Sequence, residues 1–342
     1  MKQILYVHPY NNFTGSTKVL SDVIKSRHKN LTEVTVITET SQNGFLSDLG
    51  LQLINVPIIR WHNRAIPLLT PIIWGISGFF KTLKIIKKFD AVYINTIIPG
   101  YAAIVARLYG KQVIYHIHEK YIDWNLKGWL GELIFRNIKS HRIFVSEYVK
   151  TQYPEKHNCK CEVIYNKLGE DFKKKVHIVP VEKHRRNHIL MLATFQEGKG
   201  LNVLFEAARL LPEKKFTLVL SCSNDEIKRN LKFEIPQNLN IFPKQSNIHP
   251  FYQNADIILN LSNPNYIVET FGLTILEGMA YGLPAIVPDK GGPKEVIENG
   301  ITGYSIDVTN PHEVAKYINL CLEEQEYARL FHNSLERVLK FQ

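Results

Sequence analysis

The stretch from Glu269 to Val287 constrains the fold most, because it dictates a helix, its stop and a strand in immediate succession. Phe271, Ile275, Leu276, Met279 and Ala280 recur at helical spacing and predict one apolar stripe. Gly282 stands where a helix C-terminal glycine belongs, and Pro284 forbids continuation. Ala285-Ile286-Val287 is short and wholly apolar, as suits a strand covered on both faces.

The start of this helix carries chemistry. Gly272 lets a ligand approach the backbone closely. First-turn N–H groups lack intrahelical partners and carry partial positive charge, which suits a phosphate. Glu277 lies about one and a half turns further in, too far along to cap. A carboxylate there can accept two hydrogen bonds from a vicinal diol such as a ribose. Glu269 precedes the helix, where the dipole favours an anion. The pattern alone also fits one capping and one solvated carboxylate on an ordinary amphipathic helix.

The same strand, loop and helix order runs through the chain. Ile4–Val7 is a buried strand, His8–Ser16 a loop, and Val19, Leu20, Val23 and Ile24 line a helix. The loop lacks the full G-x-G-x-x-G, so a dinucleotide fingerprint is not supported. Further strands are expected at Glu33–Thr38, Leu51–Val56, Asp90–Asn95, Gln112–Ile117, Arg142–Val145 and Glu162–Asn166, with a helix at Tyr101–Tyr109. A second series has strands at His188–Ala193, Phe216–Leu220, Asn240–Phe242 and Ile257–Leu261, and helix over most of His312–Lys340. The fold class is α/β, doubly wound. Strand alternation puts His116 and His118 on one face, at the carboxyl end where such sheets meet ligands. Lys199 sits in the strand-to-helix loop Thr194–Gly200 and can meet a diphosphate. At about 4 Å and an effective dielectric near 20 its Coulomb attraction is about 4 kcal/mol before desolvation. A helix terminus offers about 0.3–2 kcal/mol.

A chain of 342 residues, 45% hydrophobic, predicts two domains with sizeable cores. We expect them at 1–170 and 188–342, joined by a charged linker, 171–187. Cys159, Cys161, Cys222 and Cys321 lack zinc spacing and read as reduced thiols of a cytoplasmic protein. Met1 leads straight into a strand, so no signal peptide is expected. The net charge of +10 favours an anionic partner, and no nucleic-acid motif accompanies it. Ile66–Phe80 is apolar, too short to span a membrane, and followed by Lys81, Lys84, Lys87 and Lys88. It reads either as a helix on the sheet with a basic outer face or as a segment lying in the membrane interface.

Glu269 and Glu277 as Glu-x7-Glu, with Phe271-Gly272 inside and Gly278-Met279-Ala280-Tyr281-Gly282-Leu283-Pro284 after, resemble the donor-binding signature of retaining glycosyltransferases of family four. The resemblance continues through Pro288–Ile297 and Asn299–Tyr304; it is strong over Ile189–Val308 and weaker in the N-terminal half. It implies a GT-B fold, two Rossmann-like domains facing a central cleft, with the donor held mostly by the second and the acceptor by the first. It implies that Glu277 binds ribose, and that Gly272, Leu273 and Thr274, with Phe271, lie near phosphate and sugar. Lys199 would neutralise the leaving diphosphate, Glu269 would contact sugar hydroxyls, His118 would orient the sugar, and Gly15 would lie near sugar and phosphate. One departure stands out: the family's Gly-Arg is Ala193-Thr194 here, leaving Lys18 or Lys244 as substitute cations. Many relatives also carry a C-terminal helix that returns to the first domain; that tie is expected to be short or absent here.

No D-x-D motif occurs, so neither a metal nor a cofactor is expected. The resemblance implies a metal-independent, retaining transfer of a hexose-type sugar from a nucleoside diphosphate sugar. The acceptor would be a saccharide or lipid-linked saccharide in cell-surface polysaccharide synthesis, and an anionic inner membrane face would be a partner. Another GT-B enzyme, such as a nucleotide-sugar epimerase or a phosphorylase, and a non-catalytic partner that kept the donor fold remain alternatives.

Overall fold

A computed structural model describes the chain except residues 1–2, 40–42, 57–59, 62–63, 66–68, 121–125, 154–158, 233 and 342. Two compact units result, Met1–Tyr165 and Asn166–Gln342.

In the first unit, short apolar runs pair side by side, as strands covered on both faces do. The strands are β1 (Ile4–Val7), β2 (Thr35–Glu39), β3 (Gln52–Val56), β4 (Ala91–Asn95), β5 (Gln112–Ile117), β6 (His141–Phe144) and β7 (Lys160–Val163). They form a parallel sheet in the order β3-β2-β1-β4-β5-β6-β7. Chain direction along the sheet reverses between β1 and β4, and ligands of such sheets bind where that switch occurs. Helices α1 (Gly15–Arg27), α2 (Leu69–Ile85), α3 (Gly100–Leu108) and α4 (Leu126–Asn137) connect the strands.

The apolar stretch Ile66–Phe80 is a helix from Leu69 on; Ile66–Leu68 lie outside the described residues. Trp74 is buried on α2, its ring edge-on to Tyr101 of α3 at 5.0 Å. The outer face carries an apolar row as well as lysines. Ile72, Ile76 and Phe80, spaced at i, i+4 and i+8, are each about half exposed, and Lys84, Lys87 and Lys88 follow only after them. Lys81 turns back to donate to the Asn55 carbonyl.

The second unit repeats the plan. Its strands are β8 (His188–Ala193), β9 (Lys215–Leu220), β10 (Leu239–Phe242), β11 (Ile257–Leu259), β12 (Ala285–Pro288) and β13 (Gly303–Ile306), parallel in the order β10-β9-β8-β11-β12-β13. The principal helices are α5 (Leu201–Leu210), α6 (Leu273–Met279), α7 (Pro311–Leu322) and α8 (Glu324–Val338). Tyr327, Leu330, Phe331, Ser334 and Val338 recur every three or four residues on α8 and face the core. Burying each Leu, Ile or Phe of this core contributes about 1.5–3 kcal/mol.

The expected α/β class with two doubly wound units is what the chain forms. The expected linker differs: residues 166–187 belong to the second unit. Phe172, in the short helix Glu170–Lys173, is buried against the rings of His249, Tyr252 and Tyr281.

Three histidines at the carboxyl ends of β1 and β5 weaken the first unit in acid, while the neighbouring Glu119 carboxyl, raised by burial, acts in the opposite direction. Burial pushes the His8 imidazole from 6.5 down to about 4 and His116 down to about 3. Burial, then the neighbouring His116 and His8, holds His118 well below its usual value. A base with a depressed folded pKa binds fewer protons than its unfolded counterpart. Stability therefore falls as pH drops through 6.5 and levels off only below the folded values. His8 alone accounts for a loss on the order of 3 kcal/mol. All four tryptophans lie in residues 1–165, so tryptophan emission reports this unit selectively. The urea midpoint by emission is expected to fall steadily from pH 7 to pH 4.5; a flat midpoint would show that the histidines are not held neutral.

Candidate functional site

In the second unit, the sheet's switch point lies between β8 and β11, and the loops that leave those strands meet there. Asn263 N–H donates to the Gly198 carbonyl at 2.7 Å. Gly200, at φ 73°, admits no larger residue: a Cβ would sit 2.0 Å from the Leu261 carbonyl oxygen. This close approach brings Lys199 and Glu269 together. Lys199 Nζ donates to Glu269 Oε2 at 2.6 Å, with side chains 13% and 28% exposed. The two candidates, seventy residues apart in the chain, form one ion pair that is partly shielded yet reachable by a solute.

Gly272 begins α6 at φ 92°, in the left-handed region that glycine tolerates, and its Cβ position is already crowded by Pro293. The helix starts at Leu273, two residues later than the apolar period suggests. Phe271 therefore lies outside it, buried edge-on to Phe341 at 6.1 Å; its side chain belongs to the core. Leu273 and Thr274 occupy the half-buried first turn.

Glu277 is not a solvated carboxylate. It is 3% exposed, and its Oε2 accepts a hydrogen bond from the Tyr252 hydroxyl at 2.6 Å. Burial first, and then Glu277 itself, raises the Tyr252 phenol well above its usual value, so it remains a donor. Tyr252 stacks on Tyr281, ring centroids 5.6 Å apart and 17° from parallel. That aromatic bed fixes the carboxylate's orientation. Tyr252 escaped the sequence reading, since nothing in the run Pro250–Asp256 says which residue its hydroxyl meets.

At the departure from the family pattern, the Thr194 hydroxyl bonds Gln196 Oε1 at 3.2 Å. Lys244 lies beyond the edge strand β10, its N–H bonded to the Cys222 carbonyl. Lys18 belongs to α1 in the other unit. Of the cations considered, Lys199 is the one paired with Glu269.

The first unit gathers its own polar group at the β1/β4 switch point. Gly15 is the exposed first residue of α1, and a Cβ there would meet nothing within 4 Å. The fold does not require glycine at that position. His116 and His118 do share a face, with ring centroids 4.2 Å apart. His116 is the structural one: it is 4% exposed and bonds the Tyr93 hydroxyl through Nδ1 at 2.8 Å. His118 is half-buried and reaches Asn95 Oδ1 through Nε2 at 2.9 Å. Glu119 faces inward as a structural clamp. Its carboxylate accepts from the Ile97 and His118 N–H groups, and so holds the turn at Thr96, which has the rare φ of 128°. Asn95 and His8 were not anticipated from sequence.

Among the described residues, no three His, Cys, Asp or Glu side chains gather as a metal ion would require. No described helix is long and apolar enough to cross a membrane.

Residues 172–336 match the family model of glycosyl transferases group 1. The chain is 30% identical over 148 residues to N-acetyl-alpha-D-glucosaminyl L-malate synthase of Bacillus anthracis, covering 41% of this chain and 37% of that protein. It is 42% identical over 77 residues to a sucrose synthase of Thermosynechococcus vestitus, covering 21% of this chain and 10% of that protein. The chain thus spans well under half the length of these relatives. Among solved structures, Anabaena HepE in complex with UDP and glucose superimposes with TM-score 0.79 at 19% identity, covering 100% of this chain and 95% of that one. A sucrose-phosphate synthase from Thermosynechococcus elongatus superimposes with TM-score 0.76 at 15% identity, covering 100% and 95%. The second unit carries a glycosyl transferases group 1 domain, and the chain has the two parallel-sheet, Rossmann-like units of the GT-B fold.

Proposed function

We propose that this chain is a retaining, metal-independent glycosyltransferase that moves a sugar from a nucleoside diphosphate sugar to a saccharide or lipid-linked saccharide. The observation that carries the reading is the switch-point set of the second unit: the Lys199–Glu269 pair at 2.6 Å, with buried, oriented Glu277 on the helix that follows.

Glu277 accepts hydrogen bonds from the two ribose hydroxyls. Lys199 leaves Glu269 for the diphosphate and neutralises the charge that grows on it as the glycosidic bond breaks. Glu269, released, contacts the sugar and stabilises positive charge at the anomeric carbon. Leu273 and Thr274 offer donors at the phosphate from the first turn of α6. The departing phosphate oxygen takes the acceptor's proton on the same face, so the product keeps the donor's anomeric configuration. Gly15 and His118 of the first unit serve sugar hydroxyls. Thermal-shift screening against UDP-, GDP- and ADP-sugars tests the donor class: one series should raise the melting temperature by several degrees, and no response to any of them would contradict the reading.

For the acceptor, the exposed row Ile72, Ile76 and Phe80, followed by Lys84, Lys87 and Lys88, supports a lipid-linked substrate met at an anionic membrane face. The setting would be cell-surface polysaccharide synthesis, with the enzyme peripheral on the cytoplasmic side. At low salt the protein should co-float with phosphatidylglycerol vesicles. Phe80→Asp should weaken that binding at least about tenfold, given about 1.5–3 kcal/mol for a buried aromatic ring. Failure of the unaltered chain to float would remove the membrane from the proposal.

A further inference from the structure

Asn95 ends β4 beside the switch point and touches three separate pieces of the first unit. Its Nδ2 lies 3.0 Å from the Ser16 carbonyl in the first turn of α1 and 3.2 Å from His8 Nδ1, its Oδ1 lies 2.9 Å from His118 Nε2 beyond β5, and its own carbonyl lies 2.7 Å from the same His8 Nδ1 beyond β1. The residue is completely buried.

These contacts fix protons as well as positions. A backbone carbonyl only accepts, so the Ser16 contact at 3.0 Å calls for the amide nitrogen; His8 Nδ1, 3.2 Å from the same atom, would prefer an oxygen there but is the longer contact. The oxygen then faces His118, and Nε2 of that ring has to carry the hydrogen. Turning the amide over would set two acceptors against each other at 3.0 Å. A neutral imidazole has one donor and one acceptor nitrogen. Burial and the neighbouring histidines keep His118 neutral at physiological pH. With Nε2 donating inward, Nδ1 is the acceptor.

We infer that Asn95 is a positioning residue: it ties the start of α1, where Gly15 lies, to His118, and holds His118 as the Nε2–H tautomer, so that Nδ1 receives a hydrogen bond from a sugar hydroxyl. The sugar-binding half rests on the proposed function; the tautomer half does not. A ring held this way selects a ligand group that donates a hydrogen bond and disfavours one that only accepts. The Asn95 clamp also makes the α1 start and His118 move together, because both hang on one amide.

The test begins on the full, unaltered chain. Histidine labelled with nitrogen-15 gives long-range proton–nitrogen correlations that separate the two tautomers, and His118→Gln identifies the signal by its loss. At pH 7.5 His118 should show the Nε2-protonated pattern; an Nδ1-protonated or doubly protonated pattern overturns the inference without reference to any sugar. Asn95→Ala removes both side-chain bonds and should mix the tautomers. It should also lower kcat/KM for the donor about five- to tenfold, the worth of one net hydrogen bond. An Asn95→Ala protein with an unchanged His118 pattern, or a changed pattern and unchanged transfer, overturns the positioning role. Failure of the unaltered chain to transfer any sugar would count against the proposed function instead, because the ring's protonation is read without a donor.

Discussion

Lys199→Ala is expected to lower sugar transfer about a hundredfold while leaving the fold in place. The ammonium is the cation on the loop after β8 and already rests on Glu269 at 2.6 Å. Removing one preorganised group that meets developing charge costs about 10²–10³ in kcat. The effect on stability is much smaller. Both partners keep some exposure, 13% and 28%, so the released Glu269 regains water and the loss stays near 1 kcal/mol. Lys199→Arg keeps the charge but presents a planar fork in place of a compact ammonium, and should recover part of the rate. Steady-state kinetics beside a melting curve separate the two effects. Unchanged turnover in Lys199→Ala would remove the lysine from the mechanism.

Glu277→Gln should give the second large effect: donor binding is expected to weaken about 10–100-fold, the 1.5–3 kcal/mol typical of hydrogen bonds to a charged group. The amide oxygen of glutamine still accepts from Tyr252, so the aromatic bed is kept. Titration calorimetry should show the same loss for the free nucleoside diphosphate as for its sugar conjugate, because the ribose is common to both. Equal affinity of Glu277→Gln and the unaltered chain for both ligands would refute the ribose role. Glu277→Leu behaves differently. It removes the carboxylate that the buried Tyr252 hydroxyl donates to and should cost about 1–3 kcal/mol of stability in addition.

Much of the architecture was readable in the sequence. Ile4–Val7, Gln112–Ile117 and His188–Ala193 appear with the expected ends, because a short, mainly apolar run leaves few alternatives. The start of α6 was misplaced because Phe271 fits the helical period, whereas the left-handed Gly272 breaks the helix behind it. The segment 171–187 reads as solvated linker by its charge, yet the single aromatic Phe172 anchors it to Tyr252 and Tyr281. On α2 the row Ile72, Ile76 and Phe80 is visible in sequence, but which side faces water is settled by Tyr101, whose ring crowds Gly78.

The site was legible in part. Glu269, Lys199 and Glu277 were found because their spacing resembles a known signature, and the structure adds that the first two touch and the third is buried. Their supports were not legible. Tyr252 meets Glu277 across 25 positions, Asn95 meets His118 across 23 and His8 meets Asn95 across 87. Short-range periodicity carries no information about such pairs; only the strand order of the sheets brings them together.

The most direct measurement is a crystal of this protein soaked with the nucleoside diphosphate sugar that stabilises it best. The ribose hydroxyls should lie within hydrogen-bond distance of Glu277, the diphosphate on Lys199 with the Lys199–Glu269 contact opened, and the sugar against Glu269. A ligand bound elsewhere, with Lys199 still paired to Glu269 and Glu277 untouched, would contradict the account.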